Sequence, residues 1–248
     1  MLEFHGFTRS FILQHISMAS SYRVEVAQEE DIAFITDIVI PAFEKIPVEH
    51  LFGDTTTADG RRAYGERHLY AWREHAKQSN IPCAIKCVHH DAATGKDTIV
   101  GFAEWFIYDR HRESEEYNKL PPVLDSILIE DAESKEKLRK WLKPVIDVRV
   151  KWMGGRPYGC LNYMAVDPAW RRKGASTLCV QWGLNECRRL GIPALLEASD
   201  EGRPVYERLG FDTVDTCDAD FDTFVASFPV MIWWPPGTAD KDKKPAIP

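Results

Sequence analysis

Residues 158–198 constrain the fold more than any other stretch. YGCLNYMAV (158–166) reads as a strand, Gly174 to Leu190 carries the 3.6-residue period of a helix, and Pro193 to Ala198 is a short apolar run of strand length. A strand–helix–strand unit inside a chain otherwise rich in hairpins predicts a mixed sheet with helices on its faces, an α/β (α+β) fold. Upstream, Tyr22 to Val26 alternates as a strand, and Ile32, Ile35, Ile38 and Val39 share one helix face that Pro41 helps to end. A second helix is expected from Arg61 to about Ser79. Strands over Pro82–His89 and Thr98–Tyr108 flank DAATGKD, a hairpin loop, and a further helix is expected from about Asp131 to Lys151. Downstream, Glu201 to Leu209 reads as a short helix, and Phe211–Cys217 and Phe221–Trp234 as two closing strands.

Nothing between these elements divides the chain, so residues 18–234 are read as one domain. The first 17 residues, ahead of a second methionine at Met18, are expected to lie outside it, and the Pro- and charge-rich residues 235–248 are expected to be a disordered tail. The net charge of −7 disfavours non-specific attraction to nucleic acid or anionic membrane, and no apolar run reaches the roughly 18 residues of a membrane span. Six cysteines without a C-x-x-C pair lie in apolar segments, which favours buried free thiols, a reducing compartment and a cytoplasmic location. No second ligand cluster accompanies Cys83, Cys87 and His89, so no metal is expected.

Within this acidic chain VDPAWRRKGAS (166–176) places Arg171, Arg172 and Lys173 between a strand and a helix. At such a junction the first N–H groups of the helix have no intrahelical acceptor and sit at the positive end of its dipole, which favours an anion. Gly174 allows a sharp turn, and Ala175 and Ser176 keep the mouth open. A loop whose charges only face water has the same composition, and spacing alone does not separate the two.

The same residues resemble the acetyl-CoA signature of the GNAT acyltransferases, in which Arg or Gln is followed after two residues by Gly and, one residue later, by Gly or Ala. Arg171, Gly174 and Ser176 occupy those places, with Ser176 the one departure. LLEASDEGRPVYERLGF (195–211) is similar to the closing half of that family, particularly to its puromycin acetyltransferase-like members. The resemblance implies the GNAT fold, a mixed and mostly antiparallel sheet with splayed central strands flanked by helices. It also implies acetyl-CoA as co-substrate, with Arg171, Arg172, Lys173, Gly174, Ala175, Ser176 and Thr177 around the pyrophosphate. Met164 and Val166 then offer backbone groups to pantetheine, the Met164 N–H donates to the thioester carbonyl, and Tyr206 is the general acid that protonates the departing thiolate.

The base is less defined, because the residue four before Met164 is Cys160 and not a carboxylate. Glu104 in GFAEWF and Glu197 in LLEAS are the carboxylates inside otherwise apolar strands, where an unpaired charge is costly. Either relays a proton, or each is a strand-end residue facing solvent. Tyr206 has its own alternative, an aromatic packed beside Val205 and Leu209. The long segment from Asp109 to Gly155 is the expected seat of acceptor specificity, or else a solvated flap.

These readings lead to an N-acetyltransferase acting by direct attack of a primary amine, of a small molecule more than a protein, as a monomer or homodimer. The alternatives are a peptide or protein N-acetyltransferase and a non-catalytic acyl-CoA-binding module.

Overall fold

The computed structural model describes residues 21–43, 54–119, 132–221 and 225–247. The expected N-terminal extension, residues 1–17, lies outside them. Seven strands form one sheet: β1 (Tyr22–Val26), β2 (Ala84–Asp91), β3 (Lys96–Tyr108), β4 (Tyr158–Val166), β5 (Ala194–Glu197), β6 (Asp212–Asp220) and β7 (Val225–Trp233). Their order is β1-β2-β3-β4-β5-β7-β6, and every neighbouring pair is antiparallel except β4 with β5. The mixed, mostly antiparallel sheet is the expected one. Its single parallel pair is the strand–helix–strand unit, whose connection is α5 (Ala175–Leu190).

Alternation along β3 assigns the two faces of the sheet. Ala103, Trp105 and Ile107 point into a core shared with Cys179, Val180 and Leu184 of α5 and with Tyr206 of the short helix α6 (Arg203–Arg208). Trp105 is fully buried there, and its indole N–H donates to the Cys179 carbonyl at 3.3 Å. Gly183 makes that approach possible, since a Cβ on it would stand 2.1–2.5 Å from the Trp105 ring.

The other face carries Phe102, Glu104, Phe106 and Tyr108. It is covered by α1 (Ile32–Ala42) and α2 (Ala58–Ala76) at one end and by α4 (Ala132–Met153) at the other. Val148, Trp152 and Met153 of α4 pack on Cys160, Leu195, Cys217 and Val230, while Leu138 meets Ala219 and Phe221. A single turn, α3 (Ser114–Tyr117), lies between β3 and α4. Trp233, the last residue of β7, enters the α5 core, and the following Trp234 lies against the α4 side.

Residues 244–247 meet the end of α4: the Ala246 and Ile247 N–H groups donate to the Lys151 carbonyl at 2.9 and 3.0 Å, and Arg156 donates to the Lys244 carbonyl at 3.1 Å. The last carbonyls of a helix need donors, and these backbone groups supply them.

Candidate active site

β4 and β5 pair only through Gly159–Ala194 and Cys160–Leu195. Beyond that point they part. The cause lies on the other edge of β4, where Glu104 pairs with Tyr163 and Trp105 with Leu161, leaving Asn162 as an extra residue. Such a bulge bends the strand and reverses the parity of its backbone groups. The Asp167 N–H donates to the Val100 carbonyl at 3.0 Å, toward β3, so strand alternation directs the Met164 and Val166 N–H groups to the opened edge. The Val166 carbonyl on that edge accepts from Arg171 Nε at 3.3 Å.

At the end of β4 the chain passes through a 3-10 turn, Pro168–Trp170, into the basic loop. Arg172 has φ 61° and Gly174 φ 94°, both left-handed, and Gly174 is the N-cap of α5 with no side-chain cap. The first helical N–H with an acceptor is that of Leu178, bonded to the Gly174 carbonyl at 3.1 Å, so those of Ala175, Ser176 and Thr177 precede the helical ladder. A Cβ on Gly174 would meet nothing within 4 Å, so a side chain there costs through its left-handed backbone and not through a clash with the protein. Lys173 is tied back, donating to the Ala169 carbonyl at 3.1 Å with its ammonium 4.6 Å from the centre of the Trp170 ring.

On the face away from α5, beside the opened strands, lies a cavity of about 510 Å³. Its floor is a chain of hydrogen bonds among residues distant in sequence. Glu104, 1% exposed, accepts from Trp72 Nε1 at 2.6 Å and Asn162 Nδ2 at 2.7 Å, and its second partner on Oε2 is His68 Nδ1 at 3.1 Å. Burial alone would push this carboxyl up, but His68, Asn162 and Trp72 outweigh it and hold it below the ordinary carboxylate value. Asn162 Oδ1 faces the Arg149 guanidinium at 3.4 Å, and Arg149 grips Glu197 through Nε at 2.9 Å and Nη2 at 2.6 Å. The line Trp72/His68–Glu104–Asn162–Arg149–Glu197 therefore spans from α2 across β3, β4 and α4 to the end of β5.

The structure brings Glu104 and Glu197 into this one cavity and leaves Met164, Val166, Tyr206 and the basic loop out of its lining. The solvent-facing alternative fits neither carboxylate, because Glu104 is buried, the Glu197 side chain is only 10% exposed, and both are engaged by protein donors. Tyr206 lies instead in the α5 core, 8% exposed, with Met164 packed at the edge of the same cluster. Its ring folds back over Gly202, where an added Cβ would stand 3.3 Å from the hydroxyl, and burial pushes the phenol's proton affinity up. The described residues of the 109–155 segment are no solvated flap. Arg112, Glu116, Trp141, Val145 and Arg149 from it line the cavity.

Sequence reasoning missed His68, Trp72, Arg149 and Asn162. His68, Trp72 and His75 recur at helical spacing on α2, and that period was the one available signal. Asn162 and Arg149 carried none.

His75 also lines the cavity, with its Nε2 buried and without a hydrogen-bond partner among the described residues. Burial pushes its imidazole down to about 4, against an unfolded value of about 6.5. Between those values the unfolded chain binds more protons than the native one, so stability falls as pH drops through this window. His75→Phe is expected to lose less melting temperature than the parent between about pH 7 and about pH 5. Parallel declines in the two proteins would remove His75 from the acid sensitivity.

The sequence model described as the acetyltransferase (GNAT) family matches residues 48–211. No curated protein sequence matches the chain. Among solved structures, the chain is similar to a protein of Corynebacterium glutamicum described as histone acetyltransferase HPA2 and related acetyltransferase, at 20% identity and TM-score 0.54, covering 88% of this chain and 98% of that one. It is also similar to the apo form of an agmatine N-acetyltransferase variant, at 10% identity and TM-score 0.56, covering 87% and 100%. A third is yncA from Salmonella typhimurium, a putative acetyltransferase solved with acetyl-CoA, at 13% identity and TM-score 0.50, covering 89% and 97%. At such identities the likeness is one of fold. With the family match running over more than half of its length, the chain belongs to the acetyltransferase (GNAT) family.

Proposed function

We propose that the protein transfers the acetyl group of acetyl-CoA to a primary amine of a small molecule held in the cavity. The observation that carries this reading is the position of the cavity: Asn162, Tyr163 and Glu197 in its wall flank the place where β4 and β5 part. A thioester between the strands then meets an amine from the cavity side. The Met164 N–H donates to the thioester carbonyl, where the hydrogen bond strengthens as charge develops on oxygen. Arg171 to Thr177 hold the pyrophosphate, chiefly through main-chain N–H groups. Tyr206, kept protonated by its burial, gives its proton to the departing thiolate as the new amide bond forms and the C–S bond breaks.

The amine must shed a proton as well. Glu197 is neutralised by Arg149, and Glu104 is held as an acceptor for three donors, so neither is the proton acceptor. His68 takes that role. Glu104 fixes its Nδ1, and no hydrogen bond occupies its Nε2 among the described residues. His68→Gln is expected to lower kcat/KM most at acidic pH, with the defect shrinking as the amine deprotonates unaided. Glu104→Gln should follow the same profile through the orientation of His68. A pH-independent loss in both variants would reduce the pair to structure.

The reading of a small amine rests on the walls that α4 and the 109–119 segment raise around the cavity, and on the likeness of residues 195–211 to puromycin acetyltransferase-like members. Six free buried cysteines agree with a cytoplasmic location. No helix among the described residues is long and apolar enough to cross a membrane. A screen of amines and peptides with acetyl-CoA, read by free thiol release, tests the function. Acceptor-dependent release with small amines is expected. Tight coenzyme A binding with only acceptor-independent hydrolysis would instead favour a binding module, and release with peptides alone a peptide acetyltransferase.

A further inference from the structure

We infer that the acceptor carries a carboxylate at the end remote from its amine, and that Arg112 receives it. This deepens the acetyltransferase reading above and rests on it for the position of the amine.

Arg112 is 8% exposed and lines the cavity. Its guanidinium lies 3.7 Å over the centre of the Tyr108 ring and 5.3 Å from that of Tyr158. Its Nε is buried with no hydrogen-bond partner among the described residues. A guanidinium stays charged at any ordinary pH, and burying it without an anion is costly. Yet the four carboxylates that line the cavity among the described residues are engaged elsewhere: Glu74 by Lys77, Glu116 by Arg110, Glu197 by Arg149, and Glu104 by its three donors. Two aromatic rings offset part of the cost through cation–π attraction and hold the planar fork in place. What the fork lacks is a planar anion, for which a bidentate carboxylate is the natural match.

The distance to the reacting end follows from β3. Glu104, Phe106 and Tyr108 face the cavity on alternate positions, and at roughly 3.3 Å per residue Tyr108 stands about 13 Å from Glu104. Between the two polar ends lie Phe106 and the neutral His75, whose rings are 5.1 Å apart. An α-amino acid, with its amine and carboxylate on adjacent carbons, is too short to touch both ends. The acceptor is an extended molecule with an apolar body, an amine at one end and a carboxylate at the other.

Two probes of one length, ω-aminooctanoate and octylamine, isolate the carboxylate. With coenzyme A present, calorimetry is expected to show ω-aminooctanoate binding roughly ten- to a hundredfold more tightly, the range of a charge-assisted hydrogen bond. In Arg112→Met that ratio should collapse toward one, and Arg112→Lys should restore part of it. A coenzyme A-induced rise in melting temperature equal to the parent's certifies that each variant is folded. Equal binding of the two probes by the parent, or a ratio that survives in Arg112→Met, would overturn the inference. Because binding is read without turnover, failure of the acetyltransferase reading registers separately, as absence of thiol release with every acceptor.

Discussion

Tyr206→Phe is expected to lower turnover by about 100- to 10,000-fold while coenzyme A binding persists, since general acid assistance is typically of that size. The substitution removes one hydroxyl and no packing volume. The ring lies in the α5 core beside Phe211, at 5.9 Å between centroids, and the phenylalanine ring fills the same space. Burial keeps the phenol protonated through neutral and mildly alkaline pH, so the acid is in its working form wherever the amine is reactive. Coenzyme A is a fair leaving group, with a thiol pKa near that of cysteine at about 8.5, which places the loss toward the lower end of the range. Rates measured under single turnover decide the matter. Nearly parental chemistry across neutral and alkaline pH would leave Tyr206 as a packed aromatic without a proton to give.

Arg149→Met is expected to be the most destabilising change in the site. Arg149 and Glu197 are 14% and 10% exposed and share a two-pronged contact, and removing one partner of a buried pair leaves the other charge uncompensated. Such breaks cost about 3–5 kcal/mol, and the cavity's opening to solvent argues for the lower figure. At roughly 2–4 °C per kcal/mol for a chain of this size, the melting temperature should fall by about 6–12 °C. The double variant Arg149→Met/Glu197→Gln should recover part of the loss, because the stranded charge is then gone. A melting temperature unchanged in the single variant would mean that the pair is solvated and contributes little.

The parts of the protein that its sequence determined are those encoded by local period and turn chemistry. The strand-length run of 158–166, the helical period of 174–190 and the apolar run before Ala198 suffice for the strand–helix–strand unit. The same local logic places the backbone N–H groups of Ala175, Ser176 and Thr177 at an open helix start after a left-handed Gly174. Each of these depends on residues within a few positions of one another.

The cavity is of another kind. His68 and Glu104 are 36 residues apart, Asn162 and Glu104 58, and Arg149 and Glu197 48. Whether two such residues meet depends on sheet register, on the single extra residue at Asn162 and on how α4 lies across the sheet. A carboxylate in an apolar strand announces only that it needs partners, because burial without them is too costly. Glu104 found Trp72, His68 and Asn162, and Glu197 found Arg149, on elements whose own sequences pointed nowhere near them. The tail makes the same point in reverse. Its composition argues for solvent, and it is the unsatisfied carbonyls at the end of α4 that give Ala246 and Ile247 a place. Local pattern sets which elements form, whereas the need of buried polar groups for partners, met only once those elements are packed, sets which side chains become a site.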